Sequence, residues 1–325
     1  MDNDDHLRSF AGLPALEYFP GLADTPDPAA VAWRLSYGGL WSGGCPCSTC
    51  ADDRRQRPEI ADLSGGMDLD EFVAQYGDVA TALIIADGDE DAPDIERIAA
   101  AVAKMPRLRA LFVGDVIDRA AQISWVHQAD VTPLPAAAPR LEHLQVRGSD
   151  GLEFPAVRHE HLRRLVFEGG GLPGPVARGV GASDLPALEH LELYLGTEWY
   201  GGSATIVDDL AGVLAGDRLP KLRYLGLRNA ELADEVAAAV SHAPVVARLE
   251  ELDLSLGALS DAGAEALLAG QPLTHLRRLS VEHHFLTDDM AAQLDEQLAS
   301  VDVDTSDPQL GVDGDSDERY ISISE

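Results

Sequence analysis

The sequence predicts an α/β repeat fold in which short parallel strands alternate with helices. Two observations carry this. One hydrophobic phrase recurs along most of the 325 residues, and the apolar period changes from two inside the phrase to about 3.6 after it, as strand followed by helix requires.

The chain opens on a region, residues 1–78, that lacks the clean phrase. Within it Val31-Ala-Trp33-Arg-Leu35-Ser-Tyr37 alternates like a strand, so the region is expected to be an N-terminal cap that begins the sheet. Residues 38–66 are rich in Gly, Pro, Asp and Arg and are expected to form a loop.

From residue 79 to 303 the phrase Leu-x-x-Leu-x-Leu/Val takes over. Its copies are Leu108-Leu111-Val113, Leu141-Leu144-Val146, Leu162-Leu165-Phe167, Leu188-Leu191-Leu193, Leu222-Leu225-Leu227, Leu249-Leu252-Leu254 and Leu276-Leu279-Val281, and a degenerate one is Ala80-Leu83-Ile85. The first leucines of the seven are 33, 21, 26, 34, 27 and 27 residues apart, which centres on the unit length of a leucine-rich repeat. Alternation buries the second and third apolar positions together and turns the residues between them to the other face. Ile95, Ile98, Ala99 and Val102, and later Ile206, Leu210, Val213 and Leu214, have helical spacing. Ser260 and Thr287 stand where helix N-caps are expected, and Asp288 and Asp289 follow in a first turn that favours negative charge. Such units cannot bury an apolar face alone, so they are expected to stack into a leucine-rich-repeat solenoid, with a curved parallel sheet inside and helices outside. Val301-Asp-Val303 would close it. The remaining 304–325 form an acidic tail, ending in Tyr320-Ile-Ser-Ile323, which alternates again and is expected to dock on the solenoid or on a partner.

Leu249-Glu-Glu-Leu252-Asp-Leu254 followed by Leu259-Ser-Asp-Ala-Gly-Ala-Glu-Ala-Leu267-Leu268 resembles the ribonuclease-inhibitor-like class of leucine-rich repeats over residues 79–303. That class places Asn or Cys three residues after the third apolar position. Here Val116, Ser149, Gly170, Gly196, Ala230, Gly257 and His284 fill the slot, so glycine is expected to set the turns instead. Ile123-Ser-Trp125, Asp130-Val-Thr-Pro-Leu134 and Gln271-Pro-Leu-Thr-His-Leu276 also resemble a bacterial leucine-rich-repeat family without an assigned activity, whose members tend to be encoded beside radical-SAM proteins and a sulfatase-like hydrolase. That resemblance implies an accessory role and supplies no catalytic residue.

The 56 acidic and 24 basic residues leave a formal net charge of -32, which repels phosphates and anionic lipid headgroups over a Debye length. Nucleic acid and membrane are therefore not expected as partners. Met1-Asp2-Asn3-Asp4-Asp5 lacks the basic and apolar regions of a signal peptide, and no apolar run reaches the ~18 residues of a membrane span. A cytoplasmic protein is expected. Three cysteines within six residues form no disulfide framework.

Cys45-Pro-Cys47-Ser-Thr-Cys50 has a spacing at which thiolates converge on zinc or an iron-sulfur centre. Three ligands are not four, and no histidine lies between His6 and His127, so thiols in a loop are the competing reading. Gly169-Gly-Gly171-Leu-Pro-Gly174 matches a dinucleotide fingerprint in spacing, yet Pro173 and Pro175 make it an awkward helix start. Two acidic stretches opening at Asp87 and Asp313 lack the sixth-position glycine of a calcium loop.

No motif for nucleophilic or metal catalysis stands out, and the expected function is a protein-protein interaction scaffold. Its partner would dock on the concave face, at His143, Arg147, His190, Glu192, Tyr194, Tyr224, Arg228, Asp253 and Glu282, with His190, Tyr194, Tyr224 and Arg228 as the central patch. The alternative is a metal- or redox-linked enzyme component that uses Cys45, Cys47 and Cys50.

Overall fold

The computed structural model describes residues 5–19, 26–36, 47–56, 69–86, 92–116, 123–309 and 319–323. The chain packs as two compact units, Met1–Leu152 and Glu153–Glu325.

The first unit is built on β1 (Ser9–Phe10), β2 (Leu13–Glu17), β3 (Ala32–Ser36), β4 (Ala82–Ala86), β5 (Ala110–Val113) and β6 (His143–Arg147). β1 and β2 form an antiparallel hairpin, and from β2 onward each strand pairs in parallel with the next. β3 and β4 pair at five positions, from Ala32↔Ala82 to Ser36↔Ala86, so the region before residue 79 contributes strands to the sheet.

The second unit repeats the plan with β7 (Arg164–Glu168), β8 (His190–Gly196), β9 (Tyr224–Ala230), β10 (Glu251–Asp253), β11 (Arg278–Ser280) and β12 (Asp302–Asp304), all parallel in chain order. The register aligns the second leucine of every phrase: Leu165, Leu191, Leu225, Leu252, Leu279 and then Val303 stand side by side. The five leucines are at most 1% exposed. Burying each contributes about 1.5–3 kcal/mol, against about 1 kcal/mol for a turn hydrogen bond.

Helices return the chain between strands, at Ile95–Val102, Gly174–Ala182, Ala211–Ala215, Ala233–Val240, Asp261–Ala269 and Asp288–Gln297 among others. The expected caps form: Ser260 Oγ accepts from the Ala262 N–H, and Thr287 Oγ1 from the Met290 N–H. The prolines around Gly174 do not prevent a helix. Pro173 is the N-cap and Pro175 lies in the first turn, where no intrahelical partner awaits a backbone N–H. Gly171, before it, serves close packing, because a Cβ there would press on backbone atoms of Thr197, Tyr200 and Gly202.

Glycine sets only part of the turns. Gly148 and Gly196 are left-handed (φ +102° and +64°), but Asn229, Leu256 and His283 take the same conformation at φ 56°, 66° and 59°. His284 replaces the missing asparagine: its Nδ1 accepts from the Leu286 N–H at 3.0 Å and its Nε2 lies 2.9 Å from the Thr305 carbonyl. At the far end Arg278 binds both Asp302 and Asp304 of β12. Residues 319–323 fold back onto the second unit, where Ile321 is 5% exposed.

Candidate functional site

On β8 and β9 of the second unit the predicted central patch comes together. The His190 and Tyr224 rings stack at 3.8 Å between centroids and 5° between planes. Two residues along β8, Glu192 sits at the centre: His190 Nε2 is 3.1 Å from Oε2, Arg164 reaches Oε2 at 3.3 Å, and Arg228 donates to Oε1 at 2.7 Å. Arg228 also donates to the Tyr194 hydroxyl at 3.0 Å and to Ser255 Oγ at 2.9 Å, and its Nε is 3.4 Å from Asp253. Tyr224 donates its hydroxyl proton to Asp253 at 2.8 Å. The parallel register makes this possible, since His190 stands opposite Tyr224 and Tyr194 opposite Arg228.

The proton positions follow from the partners. Arg164 lies 3.3 Å from His190 Nδ1 and can only donate, so Nδ1 accepts and Nε2 carries the hydrogen that Glu192 receives. Burial, with Arg164 adding to it against Glu192, holds the imidazole below its ordinary range and hence neutral. Burial alone would raise the Glu192 carboxyl, but the His190 hydrogen bond and the Arg228 charge outweigh it and lower it to about 2. Burial pushes up both tyrosine hydroxyls, reinforced by Glu168 and Glu192 at Tyr194 and by Glu192 and Asp253 at Tyr224. Burial opposes the Arg228 charge, yet Tyr194, Asp253 and Glu192 hold that charge firmly. Both nitrogens of His190 are committed and both phenols stay protonated, so neither the imidazole nor the phenols offers a free general base.

This face is less open than strand alternation predicts. Arg164, His190, Tyr224, Asp253 and Glu282 are half-buried, but Tyr194 is 2% and Glu192 6% exposed. Tyr194 therefore cannot meet a partner as expected. It lies under the Arg228 guanidinium, 5.2 Å from ring centroid to carbon, and holds that group in place. The predicted His143 and Arg147 belong to the first unit. There His143 packs on Phe10 at 4.7 Å, and Arg147, 3% exposed, lies over the Phe112 ring and donates to the Val116 carbonyl.

The first unit holds a charged group that the sequence did not announce. Arg34 and Asp115, both fully buried, are joined at 2.7 Å from Nε to Oδ2, with His6 Nδ1 3.3 Å from the same oxygen. Burial would raise the Asp115 carboxyl, but Arg34 and His6 keep it well below the usual range. Over the neighbouring face, Phe10 closes on Phe112 at 5.8 Å with Ala82, Ile84 and Ala110 beneath. The only sequence signal here was a charged residue inside an otherwise apolar strand, at Arg34.

Of the cysteine motif, Cys45 lies outside the described residues, and Cys47 is buried at 3% exposure. Among the described residues no group of three or more His, Cys, Asp or Glu is placed to hold a metal ion, and no helix is long and apolar enough to cross a membrane. The two acidic stretches recalling calcium loops begin outside the described residues, and the twelfth position of the first, Ile98, is buried in its helix.

No protein-family model and no curated protein matches the chain. Among solved structures, the crystal structure of a protein from Bacteroides fragilis is similar over 85% of this chain and 84% of its own, at 25% identity and a TM-score of 0.69. The TLR13–ssRNA13 complex matches over 76% of this chain and 43% of its own, at 13% identity, and its TM-score of 0.35 is too low to support an argument. The likeness to the Bacteroides protein extends the strand-helix plan to a second chain.

Proposed function

We propose that the chain is a cytoplasmic binding scaffold, a leucine-rich-repeat solenoid whose curved sheet docks a protein partner on the face around His190, Tyr224 and Arg228. The observation that carries this reading is the cross-strand network on Glu192 and Asp253. It fixes one aromatic side chain, Tyr224, and two cationic ones, Arg164 and Arg228, at the half-exposed rim before any partner arrives. Ordering rotamer-rich side chains at an interface costs about 0.5–1.5 kcal/mol each, and here that ordering is already complete. Tyrosine and arginine are also the residues most enriched at energetic centres of interfaces. The net charge of -32 favours a protein with a basic surface over a nucleic acid. A protein encoded by a neighbouring gene fits the accessory role that the sequence resemblance implies.

The test is cross-linking capture in the native host with three chains: unsubstituted, Arg164→Ala/Tyr224→Ala, and a control, Arg223→Ala, which alters an exposed ion pair with Glu250. A partner captured by the first and third chains and lost by the second, with thermal midpoints showing all three folded, supports the reading. Equal capture by all three removes this face as the docking site.

A further inference from the structure

The segment 319–323 is held by the end of β9, the start of the helix after it and the turns that follow β10 and β11, and the manner of holding is that of a bound peptide. Asn229 makes a two-point clamp on the Ile323 backbone: its Nδ2 donates to the carbonyl at 2.6 Å and its Oδ1 accepts the N–H at 3.0 Å. The Ser322 N–H donates to the Leu256 carbonyl at 2.9 Å. Contacts of this kind hold a peptide main chain, here bent at Ser322, without regard to side chain.

Side chains supply the selectivity. Tyr320 packs edge-on against His283 and Phe285, at 5.5 and 5.2 Å between centroids. Ile321, next along, is buried to 5% exposure. Arg319 donates to Asp234 at 2.8 Å and to the Ala258 carbonyl at 2.6 Å. Main chain, aromatic ring, aliphatic side chain and cation each meet a matching partner within five residues. Asn229 and Ile323 are 94 positions apart in sequence, so local chain geometry does not bring them together.

We propose that Asn229 at the end of β9, Asp234 at the start of the following helix, and the turns carrying Leu256 and His283 form a recognition groove for a peptide of the pattern Arg-Tyr-Ile-x-Ile. The chain's own tail occupies the groove as a ligand in cis, and a partner protein presents a segment of the same basic-aromatic-aliphatic chemistry that displaces it. The tail acts as a gate because of its tether. Residues 310–318 tether the tail to the second unit, and a tether this short gives an effective concentration of about a millimolar, so a free peptide of micromolar affinity competes only when the tail is weakened.

The experiment uses the full chain with Arg319→Ala/Tyr320→Ala/Ile321→Ser, and a labelled peptide of sequence Arg-Tyr-Ile-Ser-Ile-Ser-Glu followed by fluorescence anisotropy. The expected result is saturable binding to the substituted chain, binding to the unsubstituted chain weaker by at least about tenfold, and none when alanine replaces the tyrosine of the peptide. If the triple substitution lowers the thermal midpoint below the assay temperature, Arg319→Ala alone, which leaves the Ile321 contact intact, is measured against the same criteria. Absence of saturable binding to the substituted chain, or equal binding to both chains, overturns the proposal. A tail that only braces the second unit gives the first of those results together with a lowered midpoint.

Discussion

His190 lies flat on Tyr224, 3.8 Å away, with its edge turned to Glu192. The stack shields the imidazole on one face while the carboxylate takes its hydrogen. Replacing the half-buried Tyr224 by Ala is expected to destabilise the second unit by about 2 kcal/mol, less than the truncation of a fully buried aromatic. It should also move the His190 titration upward toward the ordinary ~6.5 as water reaches the ring. Tyr224→Phe keeps the stack and gives up only the bond to Asp253, costing about 0.5–1.5 kcal/mol. Proton NMR of the histidine ring and urea unfolding measure the two effects.

Glu192 falls from an ordinary 4.5 to about 2 on folding, so the folded state binds its proton less readily than the unfolded chain. The associated stability, about 3 kcal/mol at ~1.36 kcal/mol per unit, is fully present above pH ~4.5 and is lost as the pH falls toward 2. Glu192→Gln should flatten that part of the stability-pH curve. A variant curve as steep as the parent between pH 4.5 and 2 contradicts the assignment.

The buried Arg34–Asp115 pair makes a two-part prediction. Arg34→Met leaves Asp115 charged and unpartnered by its main counterion, at a cost of about 3–5 kcal/mol, whereas Arg34→Met/Asp115→Leu recovers most of it. Chemical denaturation of both variants tests whether the pair specifies the packing of the first unit or is needed for its stability.

Gly196 closes β8 at φ +64°, where an added Cβ would run into the Gly170 carbonyl oxygen. Gly196→Ala is therefore expected to cost more than about 1 kcal/mol. The same change at Gly201, left-handed but with nothing near its Cβ, should cost less. Comparing their thermal midpoints separates collision from backbone strain.

The strands were legible in the sequence because leucines in register obey a simple rule. Each phrase became a strand or led into one, and even the weak Ala80-Leu83-Ile85 copy became β4. The residues of the polar cluster were legible too, since alternation marks which positions share a face. Their exposure was not. Tyr194 and Glu192 satisfy the same alternation as Arg164, and only cross-strand neighbours decide that they are buried. Residues 5–18 escaped notice for a similar reason: Phe10 and His6 earn their positions by contacts with Phe112 and Asp115, about a hundred residues onward, and a hairpin turned through Ala11-Gly12 carries a weaker turn signature than Asn-Gly.

Parallel repeats of this sort are open at their ends, and an uncovered last strand invites another molecule to continue the series into a filament. Among the described strands β12 is the one at that edge, and its composition disfavours such growth. It is only three residues long, two of its residues are Asp302 and Asp304, and Pro308, soon after it, has no N–H to offer. Arg278 draws both carboxylates toward β11, so the charge that repels an added copy is tolerated within the molecule.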